Sequence, residues 1–168
     1  MALMIFSLLI WTALDIRDGR SPLPHGYAAM TIGLVAITIL AGALVAGMDA
    51  GLLYNEYPLM GSGLVPTEYG EKGLLDPFEN PASAQFHHRW IAVLAVLAVL
   101  GLALRAKRHL QSGGPAHFAM VAVAVQFLLG VTTLLHGVPV ALGGLHQAGA
   151  VILLGSVIWL SHGFIRTR

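Results

Sequence analysis

The stretch "NPASAQFHHRWIAVLAVLAVLGLAL" (Asn80–Leu104) decides how the rest of the chain is read. Asn80-Pro81 is a helix-start signal, an N-cap followed by proline at the first helical position. The apolar run behind it is about 20 residues long, enough to span roughly 30 Å of hydrocarbon. Two histidines and an arginine, His87, His88 and Arg89, sit just inside its start, where polar side chains are costly and need a reason. Three further runs of similar length follow the same logic: Tyr27–Gly47, Phe118–Leu135 and Ala141–Phe164. A fifth, Ala2–Leu14, is shorter, leads into the polar "DIRDGR", and reads as the end of a truncated membrane helix.

Composition agrees with this reading. Of 168 residues, 57% are hydrophobic and 10% charged, against roughly 25% charged in an ordinary soluble domain. The expected fold is an all-α integral membrane protein: four complete transmembrane helices in a bundle, at about residues 25–47, 81–108, 115–136 and 140–165, preceded by a truncated fifth over residues 1–16. Residues 48–80 form the long connecting loop. The net charge of +1 gives no footprint for nucleic acid, and with no cysteine the chain has no disulfide, thiolate ligand or iron–sulfur cluster.

Charge also orients the chain. Arg17 and Arg20, then Arg105, Lys107 and Arg108, then Arg166 and Arg168 follow alternate spans, and the positive-inside rule makes those ends cytoplasmic or matrix-facing. The 48–85 segment carries Asp49, Glu56, Glu68, Glu71, Asp76 and Glu79 against Lys72 and belongs outside, as does the short turn "GVPV". The N-terminal end then lies outside and the C-terminus inside. "SPLP" (residues 21–24) precedes the second span and Gly113-Gly114-Pro115 opens the fourth.

The eight histidines sort by depth. His25, His109, His117 and His162 fall at inner helix ends, as interfacial polar residues do. His87, His88, His136 and His146 fall at the outer side. His88 and His146 lie on helices that run the same way, each within about two turns of the proline that opens its helix. Two imidazoles at one depth, with no cysteine and no carboxylate beside them, suit a six-coordinate heme iron better than zinc. Arg89 has the geometry to reach a heme propionate, Gln147 is a second polar neighbour, and Gly143, Gly144, Ala148, Gly149 and Ala150 leave room for a flat ring beside His146. The same features have plainer readings: solvated interfacial histidines, a snorkelling arginine, and small residues that pack helices. Adjacent helical residues point about 100° apart, so His87 and His88 compete for one position, and His136 competes with His146.

Three stretches, "AGMDAGLLYNEYPLMGSGLVP" (residues 46–66), "FENPASAQFHHRW" (78–90) and "TLLHGVPVALGGLHQAGA" (133–150), together resemble the heme A synthase family of cytochrome oxidase biogenesis, in the branch without an external cysteine pair. The resemblance covers nearly the whole chain and aligns it with the C-terminal half of an eight-helix protein made of two similar four-helix halves. It implies that His88, immediately before the arginine, and His146, of the "HQ" pair, are the axial ligands of a heme b, with His87 a departure from the usual pattern. It implies an oxidoreductase that converts a methyl group of heme O to the formyl group of heme A, with heme O held in the missing N-terminal half, so no catalytic residue is assigned here. The implied partners are the lipid membrane, the missing half or a second copy, heme O synthase and cytochrome oxidase assembly factors. The implied place is the bacterial cytoplasmic membrane, with the mitochondrial inner membrane as alternative. A stand-alone membrane cytochrome b shares the ligands without that chemistry, and a non-heme scaffold or transporter subunit needs neither. The loop "DAGLLYNEYPLMGSGLVP" reads as an ordered cover over the helix tops, with a heme-edge lid or docking surface as the functional alternative.

Overall fold

The computed structural model of the chain describes residues 1–19, 24, 26–109 and 113–166; the side chains at 109 and 164–166 are outside the description. Arg20, most of the "SPLP" stretch, His25 and Arg168 lie outside the described residues, as do the side chains of His109 and Arg166. The elements in chain order are α1 (Ala2–Asp18), α2 (Tyr27–Gly47), the one-turn α3 (Asp76–Glu79), α4 (Pro81–His109), α5 (Gly114–Leu135) and α6 (Val140–Arg166). Among the described residues there is no strand, only an isolated bridge between Met60 and Gly63. Helices α2, α4, α5 and α6 are long and apolar enough to cross a membrane, and in hydrocarbon a helix satisfies all its own backbone groups.

The helix ends follow local chemistry. Asn80 Oδ1 accepts from the backbone N–H of Ala82 (3.0 Å) and Ser83 (3.4 Å), capping α4 ahead of Pro81. Helix α5 starts with proline in its first turn. It stops in a Schellman arrangement, where the N–H of Gly137 reaches the carbonyl of Leu134 (3.0 Å) and that of Val138 reaches Thr133 (2.9 Å). Gly137 supplies the positive φ of 69° that this stop demands.

Helix α4 packs between α2 and α5, and α6 closes the bundle against α5 and α2 and carries α1 on its other side. The contact surfaces are small-residue surfaces: Ala95, Ala98, Val99, Ala103 and Ala106 of α4 and Ala116, Ala119 and Val123 of α5 are all buried. Lipid tails are as apolar as leucine, so close backbone approach and dispersion hold such helices together rather than exclusion from water. Gly101 shows the closeness required. A Cβ there would stand 2.5 Å from the Tyr27 hydroxyl, which donates to the Ala98 carbonyl at 3.1 Å. Helices α4 and α6 run from the loop end of the bundle to the opposite end, and α2 and α5 run back.

At that opposite end the structure departs from expectation at His162. The side chain is 1% exposed, with Nε2 3.0 Å from Asp15 Oδ1 and its ring edge-to-face with Trp11 at 5.1 Å. It is a polar join between α1 and α6 rather than a solvated interfacial residue, because α1 packs over it. His117 is exposed, as an interfacial residue should be.

Candidate functional site

The four histidines of the loop end separate by what they touch. The His87 Nδ1 lies 2.7 Å from its own helix's Ser83 carbonyl, and Nε2 lies 3.3 Å from the Tyr69 hydroxyl. A carbonyl only accepts, so Nδ1 carries the proton and Nε2 accepts from Tyr69. His87 thus faces the loop. The His136 Nδ1 lies 2.8 Å from the Thr132 carbonyl at the exposed end of α5. Neither ring enters the bundle.

His88 and His146 do. His88 reaches from α4 to α2, where Nδ1 is 3.2 Å from the Thr38 carbonyl. The same acceptor argument puts the proton on Nδ1 and leaves the Nε2 lone pair free. A Cβ on Gly42 would stand 3.0 Å from His88 Cε1. His146 reaches from α6 to α5, where a Cβ on Gly130 would stand 2.8 Å from its Cε1 and Gln126 Nε2 lies 3.1 Å from its Nδ1. Each imidazole therefore sits against a bare glycine of a neighbouring helix. Among the described residues there is no group of three or more histidines and carboxylates able to hold a metal ion alone. Two imidazoles reach inward from parallel helices, and the free Nε2 of His88 is the tautomer in which a neutral imidazole can act as a donor.

Arg89 turns toward the loop. Its Nη1 donates to the carbonyls of Glu56 (2.9 Å) and Leu59 (3.0 Å), and its Nη2 to that of Tyr54 (2.7 Å). Gln85 Nε2 also donates to Tyr54, at 3.1 Å. The guanidinium holds the loop down instead of lying open to an anion, because five donors in a fixed fork match clustered carbonyls well. Gln147 is exposed on α6. Gly143 and Gly144 face open space, and it is Gly149 that lies against another side chain, Gln126. Among the described residues, three buried polar side-chain atoms have no hydrogen-bond partner: Gln85 Oε1, Arg89 Nε and Gln126 Oε1.

The loop is tied across the helix tops at several points. Asn55 Nδ2 donates to the carbonyls of Gly51 (2.8 Å) and Leu134 (3.1 Å), the latter in α5. The Tyr57 ring meets Phe127 of α5 edge-on at 5.9 Å. Gly51 is bare where a Cβ would lie 2.9 Å from Val138 of the α5–α6 turn. Tyr54 donates to Glu68 at 2.6 Å, a bond that holds the Tyr54 hydroxyl above its usual value and the Glu68 carboxyl below its own.

Asp76 anchors the loop's far side. It accepts from the N–H of Gly70 (2.8 Å) and Lys72 (3.0 Å), from Asn80 Nδ2 (3.0 Å) and from the Ser83 hydroxyl. Burial pulls its carboxyl upward, and these four donors together outweigh that and hold it well below the carboxylate range.

The fold and this site define a class: a multi-pass helical membrane protein whose helix pair presents two inward imidazoles beneath an ordered loop. Comparison with known proteins places the chain within that class. A family profile described as cytochrome oxidase assembly protein (COX15-CtaA) matches residues 1–158, and the chain belongs to this family. It is 41% identical over 99% of its length to heme A synthase of Rhizorhabdus wittichii and 45% identical over 92% to heme A synthase of Caulobacter vibrioides. It is 36% identical over 95% to heme A synthase COX15 of Mus musculus. It covers 50%, 48% and 42% of those three proteins, so the chain spans about half the length of the curated relatives it matches. No solved structure matches the chain.

Thr38, Gly42, Gln126 and Gly130 are site residues that the sequence reading missed. Gln126 carried a signal, a polar amide inside the apolar run "VAVAVQFLLG" (121–130). The two glycines carried none, among 20 in the chain.

Proposed function

We propose that the chain is the heme-b-binding half of an enzyme of heme A synthesis, with His88 and His146 as axial ligands of the iron. The observation that carries the reading is the seating of these two imidazoles, alone of the loop-end histidines, inside the bundle against glycines of neighbouring helices. The residues present fit the group. Thr38 fixes the His88 tautomer that offers Nε2, and Gly42 and Gly130 give each ring its place. A bound heme b supplies one-electron transfer there. Arg89, Asn55 and Tyr57 hold the loop over that end and keep water from it.

The whole enzyme's reaction is the oxidation of a methyl group of heme O to the formyl group of heme A for cytochrome oxidase. In this proposal heme O binds the half of the relatives' length that lies outside the stretch matched by this chain. That half, or a second copy of the chain, is the expected partner within the lipid membrane, with heme O synthase and cytochrome oxidase assembly factors beyond it. The setting is a bacterial cytoplasmic membrane with the loop outside, or equivalently a mitochondrial inner membrane.

The test is a reduced-minus-oxidised spectrum with a pyridine hemochrome assay. It is run on the purified 168-residue chain, alone and co-produced with the remaining half of the Caulobacter vibrioides relative. A low-spin b-type spectrum is expected, lost in His88→Ala and in His146→Ala and kept in His87→Ala, His136→Ala and His162→Ala. No heme in either preparation, or heme retained in both of the first two variants, defeats the proposal.

A further inference from the structure

Just ahead of α4 the loop has a segment built inside out. The turn Gly73–Leu75 runs directly into α3. Its carboxylate is the buried member: Asp76 is 3% exposed and accepts from Gly70, Lys72, Asn80 and Ser83. Its large apolar side chains are the exposed ones, Leu74 at 97%, Leu75 at 57% and Phe78 at 60%. A knuckle of two leucines and a phenylalanine is apolar surface that needs a cover.

Its depth says what the cover is. Beyond Arg89, the next charge along α4 is Arg105. Hydrocarbon of roughly 30 Å takes about 20 helical residues, which puts its near edge at Phe86. Residues Pro81–Gln85 then rise about 7 Å above that edge, through a headgroup layer roughly 5–8 Å deep. The segment is fastened at this height. Asp76 holds Ser83 of α4, and Tyr69 packs on Phe86 with ring centroids 5.0 Å apart and reaches His87 Nε2 at 3.3 Å. Below it, Trp90, Leu94, Leu97 and Leu104 form an exposed apolar stripe on α4 at helical spacing. The Phe86 ring, 6.3 Å from that of Trp90, joins this stripe to Tyr69. Tyrosine and tryptophan favour the boundary between lipid and water. The knuckle thus continues the face that α4 turns to lipid. Its exposed charges are Glu71, Lys72 and Glu79, a negative balance that gives anionic lipid no attraction.

We propose that residues 73–79 are a lipid anchor. Leu74, Leu75 and Phe78 insert among the zwitterionic headgroups of the leaflet on the loop side, about 5–10 Å into the boundary between headgroup and acyl chain. They hold that end of the loop, as Arg89 holds residues 54–59. The inference rests on α4 crossing a membrane and is independent of the histidine pair.

With no native cysteine, single-cysteine variants carry a fluorophore without background. Leu74→Cys and Phe78→Cys, labelled and reconstituted in phosphatidylcholine vesicles, are read against Leu97→Cys, which marks the bilayer interior. Quenching by a nitroxide at the headgroup is expected to exceed quenching by one at the bilayer centre several-fold at residues 74 and 78, with the reverse order at 97. Aqueous iodide should quench the two loop labels poorly. The same pattern is expected when the chain is co-produced with the remaining half of the Caulobacter vibrioides relative. A label at Leu75→Cys tests cause: Leu74→Ser with Phe78→Ser should cut its quenching by lipid several-fold. Free access of iodide with no quenching by lipid would overturn the proposal. So would loss of lipid quenching once the other half is present, which would make the knuckle a protein interface. Unchanged quenching at residue 75 in the double-serine variant would also overturn it, because α4 alone would then set the depth.

Discussion

At the scale of single residues, the site depends on what is absent from α2 and α5 as much as on what α4 and α6 bring. A methyl group added at Gly130 would stand 2.8 Å from His146 Cε1, and at Gly42 3.0 Å from His88 Cε1. Real Cβ atoms essentially never come as close as 2.8 Å and seldom as close as 3.0 Å, so at Gly130 the ring, the helix or both must move, and at Gly42 the ring must give by a few tenths of an ångström. Helix backbones move less readily than a side chain turns, and the ring gives way. Gly130→Ala is therefore expected to cost heme or broaden its low-spin spectrum while the chain stays folded, and Gly42→Ala to do the same more mildly. Gly33→Ala on α2 is the comparison, since a Cβ there meets nothing within 4 Å, and its small gain in helix propensity is about 1 kcal/mol or less. Gly101→Ala separates packing from the site. It displaces the Tyr27 hydroxyl from its bond to Ala98, costs about 1 kcal/mol for that bond, and leaves the heme spectrum alone. A Gly130→Ala protein with unaltered heme content and line shape would count against the seating of His146 described above.

At the scale of elements, the loop between α2 and α3 is held by one arginine more than by any other side chain. Arg89 makes three hydrogen bonds to main-chain carbonyls of residues 54–59, while Asn55 ties the same stretch to α5. Hydrogen bonds to charged groups contribute about 1.5–3 kcal/mol net, so Arg89→Ala is expected to free the stretch without unfolding α4. Amide hydrogen exchange is the measurement. Residues 54–60 should exchange faster in Arg89→Ala, and residues in the middle of α4 should not. Arg89→Lys should recover only part of the protection, because a single ammonium cannot span carbonyls that a planar fork spans. Unchanged exchange over residues 54–60 would mean that Asn55 and Tyr57 suffice, and that Arg89 is free to serve another group.

At the scale of the whole molecule, legibility divides between the apolar layer and the polar one. The four spans were readable because hydrocarbon demands long apolar helices, and Tyr27–Gly47 begins and ends where its run of apolar residues does. That His88 and His146 lie at the loop end of the bundle was readable from depth and direction, since helices running the same way place equal depths side by side. What was not readable is whatever depends on rotation about a helix axis in a segment apolar all round: the glycine behind each ring, the Thr38 carbonyl, and the turning of Arg89 toward the loop. His162 was misread for the same reason, its burial being decided by α1. The polar layer folds on ionised groups, and acid should therefore separate it from the bundle. Asp76 is held below its ordinary value of 3.8, and Glu68 is lowered in the same sense by the Tyr54 hydroxyl. A carboxyl whose folded pKa is depressed adds stability that is complete above its unfolded value and is lost as pH falls toward the folded one. Tyr54 is raised in the fold, so its contribution is present below its ordinary value of 10.0 and fades as pH rises beyond it. The loop is thus expected to tighten between these limits and to loosen first on the acid side, below about pH 4. The spans have no such dependence in their apolar contacts. Limited proteolysis across residues 54–80, read beside far-UV circular dichroism on the same samples, distinguishes the layers. Cleavage should appear below about pH 4 while helicity persists, and Asp76→Asn, which sets an amide where four donors converge, should bring that cleavage to neutral pH. Loss of helicity and of protection at one common pH would show that loop and bundle unfold as a single unit.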